Sequence, residues 1–229
     1  MRLGWITVVV VAACGRLDFD AGDGGLRNQD GGNALNDGTL PGDAGYSGSG
    51  CLAPGIAGDD FHEITPCSAW GEPVADNASL NVGSDLLITP SANTQSAGGC
   101  LRGSMPFGEA GFFVHIGQFP SEGALQLAIT DSSTSTAFVI QSDNHDTFDF
   151  DESQSAAPGI LLFDASLVWW RLRPSGGFVV FEMSPDGETW TTHYTSKNPA
   201  PTTVGATIED VVDAAAPDPA IIDGIDICP

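Results

Sequence analysis

The residue types that most often carry out catalysis are present in this sequence, but they are scattered. The four histidines, His62, His115, His145 and His193, form neither the H-x-x-x-H nor the H-E-x-x-H spacing of a metal site. No G-x-S-x-G pentapeptide marks a nucleophilic serine. A catalytic centre is therefore not indicated by any local motif built on histidine or serine.

A run of oxygen-bearing side chains forms a second group of candidates. Asp143, Asp146 and Asp149 lie close together in the sequence and have the carboxylate oxygens that Ca²⁺ prefers as ligands. The favoured alternative is a polar loop that leads into a strand whose Phe148 and Phe150 face inward. We therefore expect no cofactor, with a structural calcium ion at the three aspartates as the weaker hypothesis.

Charge narrows the range of partners. The 229-residue chain carries 30 acidic and 7 basic residues, which gives a formal net charge of −23. Binding of nucleic acid needs clustered Lys and Arg that displace counterions from the phosphate backbone, and no such cluster is present in the sequence. We expect no nucleic-acid partner and attribute the acidity to solubility.

The beginning of the chain has the organisation of an export signal. Arg2 supplies a positive charge, and an uncharged, mostly apolar run over residues 3–13 follows it. This run is too short to span a membrane, because a transmembrane helix takes about 20 residues. It ends in Val11-Ala12-Ala13-Cys14, which resembles the lipobox of bacterial lipoproteins.

The lipobox resemblance implies that residues 1–13 are a signal peptide that is removed. Cys14 would then be lipidated and become the first residue of the mature protein, with a lipid bilayer as its partner. Two or more acyl chains give stable anchoring where one does not. Gly15 stands where an aspartate would resemble the inner-membrane retention signal, so we expect the outer membrane or the cell surface.

The rest of the chain divides by composition into a tether and a domain. Residues 14–50 are crowded with Gly, Asp and Asn and predict a disordered linker. Residues 51–229 carry short apolar runs separated by turn residues, which is typical of one all-β domain. The predicted strands are 80–82, 86–89, 112–116, 125–129, 137–141, 147–150, 159–163, 168–173, 177–183, 190–194 and 221–227.

The clearest predicted strand pair is a hairpin of 168–173 and 177–183, joined through residues 174–176. A register with Arg173 opposite Phe178 puts Trp170 and its alternate neighbours on the core face.

The other face of this hairpin carries Trp169, Arg171 and Arg173, which are the candidate ligand-binding residues. An exposed indole can stack on a sugar ring, and guanidinium groups donate paired hydrogen bonds to hydroxyls or carboxylates. The alternative is structural, with Arg171 lying over Trp169 and pairing with Glu182.

Three segments resemble the concanavalin A-like and laminin G-like jelly rolls: Asp59-Asp60-Phe61, Trp169-Trp170-Arg171-Leu172 and the stretch 181–190, FEMSPDGETW. The resemblance covers most of residues 51–229 and implies a two-sheet antiparallel jelly-roll sandwich. Asp186-Gly187 separately predicts a type I′ turn with Trp190 covering the hairpin.

Enzymes of this fold carry a strand motif E-x-D-x-x-E. The nearest segment here, Asp149-Phe150-Asp151-Glu152, lacks that spacing. Glycoside hydrolysis requires two carboxylates across a cleft. The missing motif favours a domain without catalysis and leaves a glycan-cleaving enzyme as the less favoured alternative.

Cysteine usage fits an exported domain. Besides Cys14, the chain has Cys51, Cys67, Cys100 and Cys228, an even number that predicts two disulfides with three connectivities open. Because the first and last strands of closed sandwiches often adjoin, we expect Cys51 to pair with Cys228 and Cys67 with Cys100.

The jelly-roll resemblance implies glycan binding, which these folds commonly perform. We expect a surface-anchored lipoprotein whose sandwich binds extracellular carbohydrate or another ligand without catalysis. The alternatives are a structural or protein-interaction lipoprotein of the cell envelope and, less favoured, a glycan-cleaving hydrolase.

Overall fold

A computed structural model describes the later part of the chain, and the regular elements in it are all β-strands. The described residues are 66–67, 71–83, 85–92, 94–109, 111–143, 145–153, 159–214 and 218–228, without the side chains of 213–214 and 226–228. The predicted signal peptide, Cys14, the tether and the domain boundary at residue 51 lie outside them. No helix within these ranges is long and apolar enough to cross a membrane.

The strands follow one another with short connections. In chain order they are β1 (Glu72–Asp76), β2 (Ala78–Val82), β3 (Leu86–Pro90), β4 (Thr94–Pro106), β5 (Gly111–Gln118), β6 (Ala124–Asp131), β7 (Ala137–Asp143), β8 (Thr147–Glu152), β9 (Gly159–Leu162), β10 (Trp169–Ser175), β11 (Phe178–Ser184), β12 (Thr191–Pro199), β13 (Thr203–Ala214) and β14 (Ala220–Cys228).

These strands form two antiparallel sheets of seven strands each. The first sheet has the order β1-β4-β13-β6-β7-β8-β9, and the second has the order β12-β11-β10-β5-β14-β3-β2. The chain passes back and forth between the sheets, since β3 and β5 belong to the second while β4 and β6 belong to the first. The predicted all-β, two-sheet antiparallel jelly-roll sandwich is confirmed.

The core lies between the sheets and is made by residues that alternate along each strand. Phe148 and Phe150 of β8 are fully buried, as predicted, and each meets an aromatic ring of the second sheet. The ring centroids are 5.7 Å apart for Phe148 and Trp170 and 6.2 Å apart for Phe150 and Phe181. Full burial of such a side chain contributes roughly 1.5 to 3 kcal/mol, so these contacts hold the two layers together.

The β10–β11 hairpin forms with a tighter turn than the sequence predicts. Arg173 lies opposite Val180, not Phe178, which pairs with Ser175. The connection is the pair Gly176-Gly177, whose φ values of 59° and 87° suit a two-residue I′ turn. The predicted register is therefore wrong by two residues, but the predicted faces survive because side chains alternate with a period of two.

The loop between β11 and β12 also differs from its prediction. A type I′ turn needs positive φ at both central residues, but of Asp186 and Gly187 only Gly187 has it, at 73°. The Asp186 carboxylate instead accepts hydrogen bonds from the N–H groups of Thr189 and Glu188 and from the Ser184 hydroxyl. These bonds lower the pKa of Asp186 to about 2 and hold a six-residue loop in place of the predicted turn.

Cys67 and Cys100 are joined in a disulfide, as predicted, with their Cα atoms 5.6 Å apart. Cys100 lies on β4, so the bridge fixes the segment before β1 to the first sheet. Cys51 and the side chain of Cys228 lie outside the described residues, and their pairing stays a prediction.

Candidate functional site

A row of hydrogen-bonding side chains crosses the outward face of the first sheet. Asp149 of β8 lies opposite Gln141 of β7, Gln141 opposite Gln126 of β6, and Gln126 opposite Glu209 of β13. We call these four residues the carboxylate row. With neighbouring strands about 4.8 Å apart, the row spans roughly 14 Å.

Strand alternation positions the row. Each of its four members is partly exposed, whereas the residues before Gln141, Asp149 and Glu209 in the sequence are fully buried. Because the inner residues fix the register of all four strands, the outer residues have no freedom to slip relative to one another. The core thus aligns the row.

Three acidic side chains on this face have raised pKa values. Burial raises the pKa of Glu209. The pKa of Asp149 is raised by burial and further by the charges of Asp143 and Asp151, while a hydrogen bond from Thr147 opposes the shift. Burial also raises the pKa of Asp151. The raised pKa values indicate that burial partly dehydrates these carboxylates, although the side chain of Asp151 is exposed.

The row has hydrogen-bonding capacity to spare. Gln126 Nε2 donates to Gln141 Oε1 at 2.8 Å, and the Thr147 hydroxyl donates to the Asp149 carboxylate at 3.2 Å. An amide carries two donors and an acceptor with two lone pairs, so most of this capacity remains open among the described residues. Next to Asp149 the edge strand β9 exposes Ile160 by 67% and Leu162 by 79%, which supplies apolar contact beside the polar row.

Asp143, Asp146 and Asp149, the residues predicted to bind calcium, are close in sequence, but within the described ranges they do not form a cluster of metal ligands. No set of three His, Cys, Asp or Glu side chains within the described ranges is arranged to hold a metal ion. Asp146 is exposed in the β7–β8 turn, where its N–H donates to the Asp143 carbonyl at 2.7 Å. Asp149 instead belongs to the carboxylate row.

Trp169, the predicted stacking residue, lies on the outward face of the second sheet and is half-buried. His115 stacks on its indole, with ring centroids 4.0 Å apart and an interplanar angle of 11°. A Cβ on Gly187 would lie 3.0 to 3.3 Å from Cε2, Cδ2 and Cζ2 of the indole. Gly187 and His115 therefore both pack against Trp169.

Arg171 and Arg173 both bind Glu182, and Arg171 lies over a different ring from the one expected. Its guanidinium carbon is 4.0 Å from the centroid of Trp190, whereas the sequence predicted a position over Trp169. The predicted pairing of Arg171 with Glu182 is confirmed at 2.7 Å. Burial would raise the pKa of Glu182, but the hydrogen bonds and charges of Arg173 and Arg171 outweigh it and lower that pKa.

A series of polar side chains continues from His115 on β5 toward β14 and β3 of the same sheet. His115 Nδ1 lies 3.2 Å from an oxygen of Asp223, which stands at an irregularity in β14. Burial, then the charge and hydrogen bond of Asp85, raise the pKa of Asp223 to about 6. Burial lowers the pKa of His115, and the charge of Asp85 offsets part of this shift. Nothing in the local sequence indicated this group, since its members come from three strands or their ends.

No family model matches the chain, and no curated protein sequence matches it. Among solved structures, the chain is similar to a Bacillus licheniformis beta-glucanase, with 10% identity and a TM-score of 0.48 over 74% of this chain and 96% of that one. It is also similar to lectin UEA-II complexed with galactose, with 12% identity and a TM-score of 0.46 over 72% and 94%. At these sequence identities and TM-scores, neither similarity assigns a ligand or an activity to this chain.

Proposed function

We propose that the sandwich is a carbohydrate-binding domain and that its ligand lies along the carboxylate row. The observation that carries this proposal is the direct opposition of Asp149, Gln141, Gln126 and Glu209 across four strands. A rigid line of donors and acceptors suits a ligand with many hydroxyl groups. The row accommodates a short stretch of an extended glycan.

The charge of the row selects among glycans. Carboxylates accept hydrogen bonds from hydroxyls, whereas they repel carboxylate or sulfate groups on a sugar. The amides of Gln126 and Gln141 supply both donors and acceptors between them. The preferred ligand of this face is therefore a neutral glycan.

The same proposal includes a surface anchor. Val11-Ala12-Ala13-Cys14 supports lipidation of Cys14, and the glycine- and aspartate-rich residues 14–50 support a spacer between lipid and domain. A glycan-binding domain on such a spacer would act outside the cell or at the outer membrane. Replacing Cys14 by serine and finding the protein still in the membrane fraction would contradict the anchor.

A polysaccharide panel tests the binding function. The full chain is expected to bind at least one neutral glycan, and Gln126→Ala and Glu209→Gln are each expected to weaken that binding about tenfold, the loss of roughly one charge-assisted hydrogen bond. Glu188→Gln, in an exposed loop of the second sheet, is the matched control and should bind as the wild type does. Wild-type affinity in both row variants would contradict the proposal.

Glycan cleavage is a second candidate, favoured by one pair of residues. Asp149 and Asp151 point outward two positions apart on β8, about 6.8 Å along the strand, and both have raised pKa values. Glycosidases place their two carboxyl groups about 5 to 9.5 Å apart, and the acid has a raised pKa. Release of reducing ends from the bound glycan, abolished in Asp149→Asn, would establish cleavage, whereas release that survives this change would exclude the pair.

A further inference from the structure

Two arginines share one carboxylate on the outward face of the second sheet. The Glu182 oxygens accept from Arg171 Nε at 2.8 Å, from Arg173 Nε at 2.8 Å and from Arg173 Nη2 at 2.9 Å. Thr192 adds a hydroxyl donor at 3.2 Å. Glu182 is only 3% exposed and is fully satisfied, yet it neutralises one of the two guanidinium charges. The group therefore retains one positive charge.

Each of the two arginines has donors that the contacts with Glu182 do not use. Each guanidinium has five N–H groups, and the contacts with Glu182 involve Nε and Nη2 of both residues. Within the described residues the two Nη1 groups have no acceptor. The side chains of Arg171 and Arg173 are 16% and 29% exposed, so a ligand can reach them.

Aromatic side chains flank the two arginines. Trp190 lies under Arg171 and is fixed by its own indole N–H, which donates to the Gly187 carbonyl at 2.9 Å. At the other end Phe178 is 42% exposed and is a diagonal neighbour of Arg173 across the hairpin. A ring on either side of a forked cation suits a ligand with an anionic group on an apolar ring face.

We propose that Arg171 and Arg173 bind the carboxylate of an acidic saccharide on this face. Glu182 orients both forks, and the residual positive charge supplies the attraction that the carboxylate needs. The site is separate from the carboxylate row, which faces the opposite side of the sandwich and selects neutral sugar. Because the whole chain has a formal charge of −23, non-specific attraction to a polyanion does not account for such binding.

Isothermal titration of the full chain with an oligogalacturonate tests this proposal. The wild type should bind it, with affinity that falls as salt rises, and should not bind a neutral oligogalactoside of the same length through this site. Arg173→Gln should weaken binding at least tenfold. Arg102→Gln, on β4 of the first sheet, removes an arginine elsewhere and should change affinity less than twofold.

Three outcomes would overturn the proposal: no binding of oligogalacturonate, wild-type affinity in Arg173→Gln, or equal binding of a sulfated oligosaccharide. If Arg173→Gln lowers the melting temperature by more than a few degrees, Arg173→Lys replaces it as the test variant, because lysine keeps the charge but lacks the forked donors of the guanidinium group. Arg173→Lys should still bind at least threefold more weakly, and wild-type affinity in this variant would equally exclude recognition by forked donors. Gln126→Ala should leave acidic-sugar binding unchanged, so failure here and failure at the carboxylate row are distinguishable.

Discussion

Gly187 lies against the Trp169 indole, and a larger residue at this position would press on the ring. A Cβ at this position would come within 3.0 Å of the ring, and the backbone there has a φ of 73°, in the left-handed region that favours glycine. His115 stacks on the same indole. Gly187 and His115 thus both hold Trp169 in the outward face of the second sheet.

Gly187→Ala should destabilise the domain through both strain and displacement of Trp169. The strain alone costs about 1 to 2 kcal/mol for a residue forced into left-handed backbone. Gly176→Ala is the matched control, because it has a φ of 59° and nothing within 4 Å of its Cβ. Urea unfolding should show a larger loss for Gly187→Ala than for Gly176→Ala, and equal losses would mean that the indole moves aside without cost.

Replacing the ionisable carboxyl group of Asp210 by a neutral amide should stabilise the protein at neutral pH. This side chain is fully buried, and neither of its carboxylate oxygens has a hydrogen-bond partner within the described part of the chain. Burial raises its pKa from 3.8 to about 8, so the folded state resists an ionisation that the unfolded state undergoes freely. The resulting penalty is absent below pH 4, grows as the pH rises toward 8 and reaches roughly 4 kcal/mol at pH 7 as an upper value.

Asp210→Asn should therefore be more stable than the wild type at pH 7 and nearly equal to it at pH 4, as measured by urea unfolding at both values. Asp218→Asn, at an exposed position, serves as the control. A stability difference that does not change with pH would contradict the burial of an uncompensated carboxyl group.

The emission of Trp169 should follow the protonation of Asp223. This carboxyl group has a pKa of about 6 and lies 3.2 Å from the imidazole that stacks on the indole. The difference spectrum between the wild type and Trp169→Phe should change with a midpoint near pH 6, and Asp223→Asn should abolish the change. A midpoint that persists in Asp223→Asn would assign the titration to another group.

Loss of the Cys67–Cys100 bridge should cost roughly 4 kcal/mol, from the entropy of a loop of 33 residues. The double variant Cys67→Ser/Cys100→Ser isolates this bridge in urea unfolding. Adding a reductant to the wild type should cost more than the double variant does, because the predicted Cys51–Cys228 bridge would open as well. Equal losses would argue against that second bridge.

The sequence predicted the strands whose apolar residues alternate or run together, and it missed three strands of the first sheet, namely β1, β4 and β13. Around β5 to β8 and the β10–β11 hairpin, predicted and observed strands overlap closely. β4 and β13 were not predicted, although they pair with each other in the sheet. β4 is rich in Gly and Ser, and β13 places Asp210 where an apolar residue belongs, so neither shows a strand pattern.

The carboxylate row was not predictable for a different reason. Gln126 and Gln141 alternate with buried residues as ordinary surface positions do, and Glu209 lies on a strand that was missed. β6, β7 and β8 follow one another in the chain, but Glu209 joins the row only through the pairing of β6 with the distant strand β13. No local pattern carries that information.

The placement of β13 and β14 has a consequence for how the chain matures. β13 inserts between β4 and β6 in one sheet, and β14 inserts between β5 and β3 in the other. Until residues beyond 203 emerge, each sheet lacks an interior strand and is divided into two parts, with two open edges where that strand belongs. Pairings across such long sequence separations form slowly. We therefore expect a chain leaving a ribosome or a translocation pore to stay unfolded until nearly all of it has been released, a state well suited to threading through a narrow export channel.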